Sequence, residues 1–175
     1  MKLRRNDNKY FMSKKDIFYV IEQNVNNTND ITVIIPNAIG VTTANNSRFS
    51  NILYKKFPII KDNIDISTNN KLGNIQCIPV SINKNKNQII CVNMYCKHSG
   101  SKYNRILDYG ALASCMLKIR TQAKILANNT DKKIQVHAPK FGTGFAGGDW
   151  KTISNLINDI WARDFSCFIY EPTNV

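Results

Sequence analysis

Val136-His137-Ala138-Pro139-Lys140-Phe141-Gly142-Thr143-Gly144-Phe145-Ala146-Gly147-Gly148-Asp149-Trp150 is the stretch from which the architecture is read. A short apolar run, Ile134 to Ala138, precedes the glycines, and Trp150, Ile153, Leu156, Ile157, Ile160 and Trp161 follow at helical spacing. The order is strand, glycine loop, helix. Four glycines within the seven residues 142–148 let a backbone approach a ligand closely and turn several N–H groups towards it. A helix N-terminus behind them adds partial positive charge, so the predicted occupant is an anion, a phosphate or diphosphate. A tight turn with Asp149 as helix N-cap accounts for the same residues without a ligand. The Gly142-x-Gly144-x-x-Gly147 spacing also fits a dinucleotide fingerprint with Glu171 as the ribose-binding acid, but only one helix and one strand remain before the chain ends.

Working outward, Ile31 to Ile35 is a continuous β-branched run, expected as a strand covered on both faces and stopped by Pro36. A small-residue loop, Asn37 to Asn46, follows, then a helix over about 47–57. This repeats the strand, loop and helix layout, so two loops at strand carboxyl ends are placed to wall one cleft. Residues 10–12 predict a short strand and Asp16 or Ser13 a helix cap before Ile17 and Phe18. Residues 75–80 and 88–94 predict an antiparallel hairpin across a polar turn at 83–87. A polar segment over 97–105 leads to a long helix over 108–127, and 165–170 closes the chain as a strand. Helices alternating with mostly parallel, fully covered strands predict an α/β protein, a three-layer α/β/α sandwich around a mixed sheet. We expect a single domain over residues 10–175 behind a basic extension, residues 1–9.

Composition sets the class. The chain has 175 residues, 43% of them hydrophobic, enough for one proper core. No apolar run approaches the roughly 20 residues needed to span a bilayer, and the N-terminus lacks the apolar core of a signal peptide, so the expected location is cytoplasmic, with no membrane partner. Abundant asparagine, lysine and isoleucine match an AT-rich genome, bacterial or viral; for a virus the location is the host cytoplasm. Five cysteines, odd in number and mostly in apolar runs, read as buried free thiols. Cys91, Cys96 and His98 match no standard zinc spacing; neither a metal nor a cofactor is expected. Lysine and arginine exceed the acids by 24 to 12, giving a field that attracts phosphates and raising nucleic acid as an alternative partner. The charges are spread along the chain without interleaved aromatics, which favours a solvated basic surface over an RNA-binding motif.

The stretch 137–150 resembles the signature of macro domains, in the branch of ADP-ribose-1''-phosphate phosphatases and small ADP-ribosyl hydrolases, which runs roughly H-x-P-[RK]-x-G-x-G-x-x-G-x-D-W. Leu72-Gly73-Asn74-Ile75-Gln76 is similar to the family's L-G-x-x-Q. Val92 to His98 is similar to its A-N-M-x-x-Q-H, with Lys97 where the family has glutamine, and Tyr109-Gly110-Ala111-Leu112 to its Y-[DE]-A-L. Asn37-Ala38-Ile39-Gly40 resembles the N-D-x-G of the first ligand loop and Lys15-Asp16-Ile17 the G-D-I near the start. The resemblance covers about residues 10–172. It implies a cleft for ADP-ribose, or a related NAD-derived nucleotide, with an ADP-ribosylated protein as a further partner and a monomer as the working state. Asp16 and Ile17 would meet adenine and Tyr170 would pack on it. Phe141, Gly142, Thr143, Gly144, Phe145, Ala146 and Gly147 would cradle the diphosphate and line the ribose side. Asn37, Thr43, Ala44 and Asn45 would surround the distal ribose. Were the ligand turned over, through hydrolysis of a 1''-phosphate or release of protein-linked ADP-ribose, Asn37 and Asn45 would position water and substrate, and His98 would meet a terminal phosphate. The departures fall at reactive positions: Thr43-Ala44-Asn45 replaces a glycine-rich loop, Ile34 a histidine and Ala146 an aspartate. Losing acids, bases and nucleophiles bears on catalysis more than on binding, so sequestration without turnover is the alternative. His137, at a strand end, reads as a satisfied core histidine or a general base.

Overall fold

The computed structural model describes residues 10–41, 47–64, 71–82, 86–98 and 105–171. Six strands form one sheet in the order β1-β6-β5-β2-β4-β3. They are β1 (Phe11–Ser13), β2 (Ile31–Gly40), β3 (Ile75–Ile82), β4 (Gln88–Lys97), β5 (Lys133–Pro139) and β6 (Ser166–Tyr170). Every neighbouring pair is parallel except β3 and β4, which form the expected hairpin. The protein is thus α/β with a mixed, mostly parallel sheet, and helices on both faces make three layers. The expected 1–9 extension lies outside the described residues.

One face carries Ile34, Val92, Met94 and Val136 beneath α4 (Tyr109–Thr130) and α5 (Trp150–Leu156), with Leu112, Met116, Ile119, Ile153 and Trp161 filling the layer. The other carries Val33, Ile35, Ile89 and Cys91 beneath α1 (Ile17–Asn27), α2 (Arg48–Lys56) and α3 (Pro58–Asp62) through Phe18, Ile21, Leu53 and Ile60. Alternate residues of β2 enter opposite cores, which is why its apolar run is unbroken. Helices α1, α2 and α5 start on side-chain caps: Asp16 accepts from the Tyr19 N–H at 2.8 Å, Ser47 from Ser50 at 3.0 Å and Asp149 from Thr152 at 2.8 Å. Beyond α5 the helix widens into a π-helical turn, Ile157–Trp161. Among the described residues no helix is long and apolar enough to cross a membrane.

Three expectations are corrected. Pro36 does not end β2, which continues to Gly40 in register with β4. Pairing with β5 stops at Ile34, so beyond it one side of β2 no longer demands an N–H, and proline is tolerated there. Asn37 therefore sits inside a strand and not in a ligand loop. Its side chain is fully buried: the amide donates to Asn93 Oδ1 at 2.9 Å and Tyr54 Oη at 3.2 Å, and its oxygen accepts from Ser50 Oγ at 2.8 Å. Asn93 passes the network on to Gln76 at 3.2 Å, tying β2, β3, β4 and α2 together. Of the cysteines, Cys91, Cys96, Cys115 and Cys167 are buried thiols, but Cys77, on the edge strand β3, is exposed.

Candidate functional site

Five parallel strands bring Ser13, Tyr170, Pro139, Gly40 and Lys97, their last residues, to one edge of the sheet. Ligands of open α/β sheets bind outside such carboxyl ends. A cavity of about 610 Å³ lies there, between the α1 and α2 N-termini and the loop after β5. Lys15 to Phe18, Ser47 to Phe49, Ile52, Ala38, Lys97, Pro139 to Ala146, Tyr170 and Glu171 form its walls. Its lining cations, Lys15, Arg48, Lys97 and Lys140, outnumber its acids, Asp16 and Glu171.

The glycine loop divides its labour. Gly142 and Gly147 hold φ of +77° and +69°, a left-handed region that side chains rarely adopt. A Cβ on Gly148 would stand 2.6 Å from both the Gly142 carbonyl oxygen and Leu107 Cδ2. Gly144 has ordinary φ, and a Cβ there would meet nothing within 4 Å. The loop is closed by N–H donations from Gly147 to the Gly144 carbonyl at 2.9 Å and from Gly148 to the Gly142 carbonyl at 2.8 Å. The Ala146 carbonyl accepts from the Leu107 N–H at 3.1 Å. The N–H groups of Thr143, Gly144 and Phe145 have no acceptor among the described residues. All three residues line the cavity, and the side chain of Phe145 is 91% exposed.

Asp16, Ile17, Phe141, Gly142, Thr143, Gly144, Phe145, Ala146 and Tyr170 are brought together as lining residues. Gly147 shapes the loop without lining the cavity. Thr43, Ala44 and Asn45 lie outside the described residues. Asn37 does not line the cavity, because its amide is committed to the network under β2. His98 is not among the residues lining the cavity: its Nε2 lies 3.0 Å from Asp108 Oδ2, whose carboxylate caps α4. His137 is a core histidine. Its Nδ1 is 2.7 Å from the Tyr170 hydroxyl, its Nε2 3.1 Å from Gln135 Oε1, and it stacks on Phe168 at 4.7 Å. Burial lowers its pKa to about 4 and raises that of Tyr170 above the ordinary phenol value.

Lys97 was not singled out as a site residue. It closes β4, is only 5% exposed, and lines the cavity; burial lowers its pKa. A lysine ending a long apolar strand, at a position where the resembled family has glutamine, was the signal in the sequence. Lys140, also in the wall, faces Glu171 at 4.0 Å and lies 5.4 Å from the Trp150 ring centre.

No family model and no curated protein matches this chain. Solved structures do. A Bacteroides thetaiotaomicron protein of unknown function is similar with a TM-score of 0.67 at 18% identity, over 93% of this chain and 98% of that one. A macrodomain protein from Streptomyces coelicolor is similar with a TM-score of 0.56 at 18% identity, over 83% and 90%. The macrodomain of Mycobacterium tuberculosis DarG is similar with a TM-score of 0.59 at 10% identity, over 93% and 97%. At these identities the likeness is one of fold.

Proposed function

From a macrodomain fold with a basic cleft at its strand ends, we propose that this protein binds ADP-ribose or a closely related NAD-derived nucleotide. The observation that carries the reading is the loop 141–147 beside the cavity. Three consecutive N–H groups without internal acceptors lie next to a cavity with more cations than acids, an arrangement suited to a diphosphate. Phe18, Phe49 and Tyr170 supply apolar and aromatic wall for a base, and Asp16 a carboxylate for an exocyclic amino group. Residues 10–175 would act as one nucleotide-binding domain. ADP-ribose attached to a protein presents the same nucleotide and is a second form of the ligand. Binding is the function proposed; release of ADP-ribose from protein and hydrolysis of its 1''-phosphate are assays to run once binding is established.

The test is calorimetric titration with ADP-ribose, with AMP and NAD as controls. One-to-one binding near micromolar, about 8 kcal/mol, is expected. Gly144→Glu should abolish it while leaving the fold intact, because Gly144 has ordinary φ and open space around its Cβ. No binding at millimolar ADP-ribose would overturn the reading.

A further inference from the structure

A chain of hydrogen bonds runs from the β3 edge of the sheet to the cleft, and its polarity is fixed at the outer end. Gln76, on β3, donates from Nε2 to the Asn63 carbonyl oxygen at 2.6 Å, an atom that can only accept. Its other amide atom is therefore the oxygen, which accepts from Asn93 Nδ2 and from the Tyr95 hydroxyl, each at 3.2 Å. Asn93 in turn offers its oxygen to Asn37 Nδ2 at 2.9 Å, and Asn37 its oxygen to Ser50 Oγ at 2.8 Å. Asn37, Asn93 and Ser50 are fully buried, so no bulk water relaxes this order. Ser50 has one hydroxyl hydrogen, and Asn37 takes it. The 2.8 Å contact between the Ser50 and Ser47 hydroxyls must then carry the hydrogen of Ser47. Ser47 lines the cavity. Its oxygen already accepts the Ser50 N–H at 3.0 Å, which leaves one lone pair, and no hydrogen, for a ligand.

We propose that this chain makes Ser47 a specificity residue, which accepts a hydrogen bond from a secondary hydroxyl of the sugar beyond the diphosphate and disfavours groups that can only accept. This rests on the nucleotide reading above and adds the hydrogen-bond polarity that the ligand must match. With the base at Asp16 and Tyr170, the ligand starts at the β1 and β6 end and crosses the glycine loop after β5. Ser47 is tied through Ser50 and Asn37 to β2, two strand spacings from β6, about 10 Å. A ligand atom without a hydrogen meets the Ser47 lone pair there. Ser47 can turn a donor towards it only by breaking the bond to Ser50.

The experiment titrates ADP-ribose, AMP and two analogues of ADP-ribose, with fluorine in place of the hydroxyl at C2'' or at C3'', against the wild type, Ser47→Gly and Ser50→Ala. Fluorine fills the place of the hydroxyl and cannot donate. In the wild type, fluorine at one of the two positions should weaken binding about three- to tenfold, the size of one neutral hydrogen bond; the position that responds identifies the hydroxyl. Ser47→Gly removes the oxygen and leaves a residue that caps helices almost as well, so there the ratio should fall to about one. Ser50→Ala frees the hydrogen of Ser47 to turn towards the ligand, so it should narrow the ratio while AMP binds as before. A fluorine penalty at neither position, or one that survives in Ser47→Gly, would overturn the proposal. An unchanged ratio in Ser50→Ala would overturn it as well, because the polarity of Ser47 would then owe nothing to the chain. A loss in Ser47→Gly shared equally by AMP would assign Ser47 to the support of α2 alone and overturn it too. Urea denaturation checks that both variants are folded; if Ser50→Ala is not, the Ser47→Gly comparison decides by itself. Wild-type protein that binds neither ADP-ribose nor its analogues would fail the nucleotide reading itself.

Discussion

His137 shows how a single residue's surroundings assign its role. A neutral imidazole donates from one nitrogen and accepts at the other, and Gln135 Oε1 and the Tyr170 hydroxyl offer one acceptor and one donor at 3.1 and 2.7 Å. Burial between the strands disfavours the charged imidazolium and lowers its pKa to about 4. The sign follows: between about pH 6.5 and 4 the unfolded chain binds a proton that the folded chain refuses. The ring's contribution is complete above pH 6.5, and about 3 kcal/mol is lost as pH falls towards 4. NMR titration should find the His137 ring neutral down to about pH 5, with the melting temperature falling over the same acid range. A midpoint near 6.5 would place the ring in water and contradict its burial. The sequence left His137 open between core and catalysis. Only the facing strand, which brings Tyr170 33 residues away to Nδ1, decides it.

At the scale of the element, the loop after β5 was the most legible part of the chain, because glycine clusters between a strand and a capped helix have few structural explanations. What the spacing did not tell is which glycine does what. Gly142 and Gly147 are required by backbone angle, Gly148 by crowding against Leu107, and Gly144 by neither. Gly148→Ala should therefore destabilise the fold by about 2 kcal/mol or more through overpacking. Gly144→Ala should stay within about 0.5 kcal/mol of the wild type. Urea denaturation of the two variants checks the pair, and similar losses for both would refute this division of roles. The strand β2 was read short for a physical reason. Proline is a breaker only where a strand needs the N–H on that side, and that need depends on which neighbour is present. Asn37 was carried into a ligand loop by the same error.

For the whole molecule, a net charge of +12 raises nucleic acid and small phosphates together as partners. Salt separates them. ADP-ribose carries two phosphate charges, so the logarithm of its affinity should fall with log salt with a slope no steeper than about −2, against several-fold steeper slopes for a protein neutralising many phosphates of a nucleic acid. Titrations from low to high salt, with ADP-ribose and with a single-stranded oligonucleotide, measure both slopes; tight, steeply salt-dependent binding of the oligonucleotide alone would move the function to nucleic acid. The sequence by itself determined the alternation of buried strands and amphipathic helices, the hairpin, the helix caps and the glycine loop, because these rest on local periodicity and local hydrogen bonding. Tertiary structure alone decided that the strands stand in the order β1-β6-β5-β2-β4-β3, that Asn37 is bonded into the network under β2, and that Lys97 is among the residues lining the cavity. The reason is physical: which groups share a cavity depends on neighbours brought together from distant parts of the chain.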